Sequence, residues 1–190
     1  MNNEKCVLWL ETLLKKLVSQ KRLEHILGTS KLAEALSVMY EADAKRIKIA
    51  SLSHDLFRDT EPYRLLLMFR GYGKKENKFE YMKPALLHGK VAALFLRNHI
   101  YVDDEVFDAI YCHVTGHKKL KKIGKILMIA DIAEETRTFP ISRKIRNRAF
   151  KDLEGAYKLT LRSKIEWALE EDTFLLPEIV ETWNHIRGGA

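Results

Sequence analysis

An all-α fold, a single bundle of helices with one polar site buried between them, accounts for three features of this chain. Apolar residues recur at spacings of three and four along nearly all 190 residues. No stretch sustains the period-two alternation of a strand between turn signals. Capping residues and prolines stand where helices would begin: Asp43, Asp103 and Ser142 as N-caps, and Pro62, Pro84 and Pro177 in first turns. A composition of 46% hydrophobic and 31% charged residues suits one globular domain with a sizeable core.

The elements follow in order. Residues 4–19 form an apolar helix that Glu11, Lys15 and Lys16 interrupt at helical spacing. In 21–41 the face of His25 carries Gly28, Thr29, Leu32 and Leu36 and is only half apolar. In 43–58, capped by Asp43, the stripe Ile47, Ala50, Ser51, His54 points inward with Asp55 beside it. Pro62 opens a helix over 62–70, followed by the connection GYGKKENKF, 71–79, which reads either as an exposed link or as a lid over a phosphate ligand. His88 starts an inward pattern with Val91, Ala92 and Phe95 in a helix over 83–98. His113 ends one with Val106, Ala109 and Ile110 in 103–113. In 119–135, Asp131 continues the stripe of Leu120, Ile123 and Leu127. A long helix over 142–171 and a last one over 174–187 close the bundle, with Trp167, Leu175 and Trp183 read as core. His99, His117 and His185 fall on polar surroundings and read as surface residues.

Several function classes are disfavoured. The longest apolar runs, such as LLLMF at 65–69, fall short of the roughly 20 residues that span a bilayer, and the first twenty residues lack a signal-peptide cleavage pattern; a soluble, cytoplasmic protein without a membrane partner is expected. Cys6 and Cys112 lie far apart, so neither a disulfide framework nor a thiolate metal site is expected. The net charge of +7 attracts phosphate nonspecifically. Its clusters at Lys74, Lys75 and Lys78, at 117–125, and at Arg143, Lys144, Arg146 and Arg148 read as solvated faces, so nucleic acid is not the expected partner.

One histidine on an apolar face is usually a satisfied core residue. Four histidines and two aspartates on the inward faces of five helices are different, because a helical core cannot easily satisfy so many polar groups one by one. One or two cations at their meeting point satisfy them together, and the donors would be nitrogen and oxygen.

The ordered segments HILGTSKLAEAL, SLSHDLFRD, HGKVAALFL, IYCHVTG and MIADIAEETRTFP resemble the HD-domain metal-dependent phosphohydrolases. They are most similar to the bacterial subfamily of symmetrical diadenosine tetraphosphate hydrolases of the YqeK type, over about 22–143. The resemblance implies a single HD-domain helical bundle over 21–143, with 1–20 as a helix packed on it and 144–190 as a helical extension. It implies two transition metals, iron first and manganese second, with His25, His54, Asp55 and Asp131 holding one and His88, His113 and a bridging Asp55 holding the other. Metal-activated water would then split diadenosine tetraphosphate into two ADP. Other nucleotide phosphohydrolases, or a noncatalytic module that binds nucleotide or RNA, are the alternatives; a dimer is compatible with the sequence.

The same resemblance implies a catalytic set of Asp55, Arg58, Asp59 and Arg137, with Asp59 orienting Arg58, and substrate contacts from Arg58, Lys90, Thr115, Gly116, Glu134 and Arg137. The guanidinium groups suit phosphate because they donate two parallel hydrogen bonds. Glu134 has two readings, an acid that orients a ligand or takes a proton, and a capped surface acid. HGKVAA stands where the family more usually has HGPxGA, and ADIAEETR where it has ADYIEPxR; both changes bear on the fit of the base and neither removes a metal ligand.

Overall fold

The computed structural model describes residues 3–188, and among them the only regular structure is helical. Helix α1, Asn3–Leu17, buries Cys6, Leu10 and Leu14 at four-residue spacing against α2, Gln20–Met39, and α3, Ala44–Ser53. Each fully buried leucine contributes about 1.5–3 kcal/mol. Helices α4, Pro62–Gly71, and α5, Lys78–Met82, lead through a 3-10 turn at Pro84–Leu87 into α6, His88–His99. Then come α7, Asp104–Cys112, α8, Lys122–Ala133, α9, Pro140–Ala149, α10, Leu153–Glu170, and α11, Pro177–Gly188.

Helix α8 is the axis of the fold. It packs against α2, α3, α7, α9 and α10, and Ile126 through Ala130 are buried without a break. A stretch buried on every side is what a central position requires, so the stripe read from the sequence understates its burial. Arg146 of α9 donates to the carbonyls of Ala133 and Glu134, the latter at 2.6 Å, and satisfies the end of α8 that faces the polar site.

The caps Asp43 and Asp103 and the three prolines stand as expected. Several boundaries differ. The helix expected over 43–58 ends at Ser53, and the one over 83–98 is a 3-10 turn followed by a fresh start at His88. The long helix over 142–171 is two helices, because the Asp152 carboxylate accepts from the Gly155 amide at 2.9 Å and caps a new start. Ser142 is no cap: Phe139 holds that position, Pro140 opens α9, and Ser142 is buried inside it. The connection after Gly71 is shorter than read, since Asn77 and Glu80 form a capping box that starts α5 at Lys78. Trp183 packs on the core, but Trp167 is 54% exposed and Leu175 is also exposed.

Candidate metal centre

The chain places His54 and Asp55 side by side by ending a helix between them and their neighbours. The His54 amide still bonds four residues back, to Ala50. From Leu56 onward the bonds run three residues back, Leu56 to Ser53, Arg58 to Asp55 and Thr60 to Phe57. This tighter winding turns Leu56 and Phe57 into the core while His54 and Asp55, both buried, face the centre. His113 likewise stands at the end of α7 and His88 at the start of α6, whereas His25 projects from α2 and Asp131 from the last turn of α8.

These six side chains converge. Donor atoms of His25, His54 and Asp131 lie mutually within 4.8 Å, and so do those of Asp55, His88 and His113. Asp55 spans the two trios. Its Oδ2 faces His25 Nε2 at 3.7 Å and His54 Nε2 at 3.8 Å, while its Oδ1 faces His88 Nε2 at 3.1 Å and His113 Nε2 at 3.7 Å. Asp131 Oδ1 lies 3.1 Å from His25 Nε2 and 3.8 Å from His54 Nε2.

The orientation of the imidazoles shows what belongs between them. Three Nδ1 atoms meet the carbonyl three residues earlier: His54 to Ser51 at 2.7 Å, His88 to Ala85 at 2.7 Å and His113 to Ile110 at 2.8 Å. A carbonyl only accepts, so each Nδ1 carries a hydrogen and each ring turns its Nε2 inward. His54 Nε2 is buried with no hydrogen-bond partner. His88 Nε2 and His113 Nε2 stand 3.0 Å apart. Two ring nitrogens at that distance, with carboxylate oxygens beyond them, need a positive particle among them, either a proton or a metal ion. Nitrogen and oxygen donors held by outer hydrogen bonds fit a transition metal.

Glu134 completes the set. It is fully buried at the end of α8, approaches His25 Nδ1 at 3.1 Å and accepts from the Thr136 amide at 2.6 Å and hydroxyl at 2.5 Å. This is the carboxylate that typically orients a ligating imidazole from behind. Gly89 leaves room for His113, since a Cβ there would lie 2.5 Å from the His113 ring and 2.9 Å from the Ile110 carbonyl.

Burial drives the His54 pKa down to about 4. The same burial would raise Asp55 and Asp131, but His54, His113 and His88 around Asp55, and His25 and Lys164 beside Asp131, hold both below the usual carboxylate range. For His25, burial is outweighed by the hydrogen bond and field of Asp131 and by Glu134, and its pKa rises. The centre is therefore anionic at its two aspartates, and His54 keeps its Nε2 lone pair at neutral pH.

The arginines are arranged differently from the sequence expectation. Arg58 is exposed, and its guanidinium has no partner among the described residues. Arg22 takes the inner place, with Nη1 2.7 Å from Asp55 Oδ2 and Nε 3.7 Å from Asp59 Oδ1. Asp59 thus orients Arg22 rather than Arg58, and is itself held by the Ser19 amide and hydroxyl at 2.9 and 2.8 Å. Arg137 sits at the rim, 4.0 Å from Asp131 and 3.8 Å from Glu134. Lys90 points elsewhere, into a 2.6 Å ion pair with Glu80. Thr115 donates to the Gly116 carbonyl at 3.1 Å, and Gly116 makes a positive-φ turn at +71° against Tyr157. His99 and His117 are exposed and His185 half-buried, away from the cluster.

Two cations near the centre escaped the sequence reading. Arg22 lies one helical turn before His25, a spacing that could have revealed it. Lys164 comes from α10, where no motif points to it; its Nζ is 3.9 Å from Asp131 Oδ2, and burial lowers its pKa.

Comparison with known proteins agrees with this arrangement. The HD domain model matches residues 22–136, which hold every member of the two trios. The chain is 29% identical over 177 residues to a symmetrical bis(5'-nucleosyl)-tetraphosphatase of Halalkalibacterium halodurans, covering 92% of this chain and 93% of that one. It is 30% identical over 151 residues to the protein of the same name from Staphylococcus aureus, covering 79% and 75%. A crystal structure described as that of a predicted HD superfamily hydrolase involved in NAD metabolism, from Clostridium acetobutylicum, superposes with a TM-score of 0.91 at 25% identity over 100% of this chain and 99% of that one. No helix among the described residues is long and apolar enough to cross a membrane. With its motif order, its helical architecture and its buried histidine and aspartate cluster in agreement, the chain belongs to the HD domain family.

Proposed function

We propose that this protein is a metal-dependent phosphohydrolase that splits diadenosine tetraphosphate symmetrically into two ADP. The observation that carries the metal-dependent reading is the set of inward imidazole nitrogens, His88 Nε2 against His113 Nε2 at 3.0 Å and the unpartnered His54 Nε2, gathered around the two oxygens of Asp55. The names of the relatives support the substrate and the symmetry of cleavage. His25, His54 and Asp131 would hold one metal, and His88 and His113 a second, with Asp55 shared; iron is the first candidate and manganese the next. Such a pair, when bound, supplies a water that ionises near neutral pH and positive charge against the phosphate oxygens.

The chain's own residues do the rest. Arg22, paired with Asp55 and Asp59, and Arg137, beside Asp131, would present guanidinium donors to the nonbridging oxygens of a polyphosphate. Glu134 holds His25 in one orientation. A substrate seated with its second phosphorus at the centre leaves one nucleoside diphosphate on each side of the broken bond. Dinucleotide recognition would be completed by side chains flanking the cluster, of which Arg58 is free to turn inward.

Chromatography of the products is the direct test. Protein loaded with iron or manganese is expected to convert diadenosine tetraphosphate to ADP alone; ATP with AMP would refute symmetric cleavage, and absence of turnover would refute the activity. Elemental analysis should find two metal equivalents, reduced to one by His88→Ala and to none by Asp55→Ala. A single equivalent that survives His88→Ala unchanged would remove the dinuclear site.

A further inference from the structure

A cavity of about 160 Å³ lies one side chain away from the metal centre, joined to it through Lys164. Lys164 lines it and reaches Asp131 at 3.9 Å, while Val114 and Thr115, which follow His113 in the chain, and Lys83 and Leu86, which precede His88, line it from the other helices' ends. The remaining wall is aromatic and comes from the C-terminal part of the chain, with Trp167 of α10 and Phe174 of the following loop. Cavities of about 150 Å³ accept a benzene ring, so an open-mouthed space of this size takes a flat heterocycle.

The lining carries two lysines and no acid. Lys83 Nζ stands 6.0 Å from the Trp167 ring centroid and 3.3 Å from the Thr173 hydroxyl, while Phe174 is fixed edge-on by Phe79 at 5.4 Å. Trp167 is 54% exposed. Burying that face would gain apolar contact area, and an exposed tryptophan beside a cation and a phenylalanine is a stacking surface in search of a ring. The cavity therefore combines an aromatic surface with a lysine that lies 3.9 Å from a carboxylate of the metal centre.

We infer that this cavity is the nucleobase subsite, with Trp167 and Phe174 enclosing the base and Lys164 carrying the phosphate next to it toward the metals. The inference rests on the phosphohydrolase reading and adds to it a specificity determinant from outside the HD motifs. It also gives the segment after residue 150 a role in recognition rather than only in closing the bundle. Trp167 and Lys164 act by positioning: one holds the base, the other the first phosphate, and neither exchanges a proton or a bond with the reacting phosphorus.

Tryptophan fluorescence of the metal-loaded protein, titrated with ADP and separately with pyrophosphate, tests this. ADP is expected to quench the emission, and Trp167→Phe to remove most of that quench while Trp9 and Trp183 remain. Trp167→Ala should weaken ADP binding by about tenfold, the scale of one base stacked on an aromatic side chain, and leave pyrophosphate binding unchanged; Lys164→Met should weaken both. In turnover, Trp167→Ala should raise KM with kcat kept. Melting curves identify any variant that fails to fold, in which case Lys83→Met, on the rim, repeats the test. Equal ADP affinity in wild type, Trp167→Ala and Lys164→Met would overturn the inference even if diadenosine tetraphosphate is hydrolysed. ADP binding that depends on Trp167 without any hydrolysis would instead overturn the activity and leave the subsite standing.

Discussion

Asp55 and Glu134 show how much one carboxylate can organise. Asp55 turns its two oxygens to different pairs of imidazoles, so its removal disturbs both trios, whereas Glu134 acts on His25 alone among the six. Glu134→Gln keeps the shape but weakens the acceptor behind His25. Metal affinity, measured by competition with a chelator, is expected to fall roughly 10- to 100-fold with the fold intact by circular dichroism. Cys112 makes a contrasting case, one residue before His113. Burial, and then the nearby Asp108, push its thiol up to about 11 from an ordinary 9.0. At pH 8 that leaves about a hundredfold fewer thiolates than an unperturbed cysteine, so iodoacetamide should label it promptly only after denaturation. The sign for stability follows: the folded chain keeps a proton that the unfolded chain gives up, so this contribution is complete below about pH 9 and is lost as the pH rises toward about 11.

Elements are joined at the centre by tight backbone approaches as much as by ligands. Helix α6 passes so close to the end of α7 that position 89 has no room for a Cβ. Gly89→Ala must push either the His113 ring or the Ile110 carbonyl, and both belong to the second trio's support. The expected outcome is a metal content reduced from two equivalents to one and a loss of about 1–3 kcal/mol in urea melts; two equivalents with an unchanged midpoint would contradict the packing argument. The same scale explains which helix boundaries were legible. Asp43 and Asp103 cap locally, and local chemistry is visible in sequence. The break between α9 and α10 is also local, yet Asp152 was hidden inside a continuous helical pattern. The end of α3 at Ser53 is not local at all. It is set by the need to bring Leu56 and Phe57 into the core and leave His54 and Asp55 facing the centre.

For the whole molecule, the centre gathers α2, the end of α3, α6, α7 and α8, so the metals would tie five parts of the chain together. Metal that binds only the folded state stabilises by mass action, about 2.7 kcal/mol at a hundredfold excess over the dissociation constant. For a chain of this size, chelation should lower the thermal midpoint by roughly 5–10 °C, and readdition should restore it. An unchanged midpoint on complete metal removal would show that packing around α8 alone sets the stability. Part of the positive charge is spent on structure: Lys118 pairs with Glu181, Lys125 with Glu154, Lys122 meets the Tyr40 carbonyl, and Arg146 closes the end of α8.

The amino-acid sequence by itself determined the helical class, most helix starts, and the identity and order of the converging histidines and aspartates, because periodicity, caps and motif spacing are properties of neighbouring residues. Only the tertiary structure decided that Arg22 rather than Arg58 meets Asp55, that Glu134 stands behind His25, that Lys90 is spent on Glu80, and that Lys164 reaches Asp131 from a cavity it shares with Trp167. Those pairings join residues far apart in the chain. They depend on which helix faces are brought within a few ångströms by packing around α8, a geometry that no local spacing encodes.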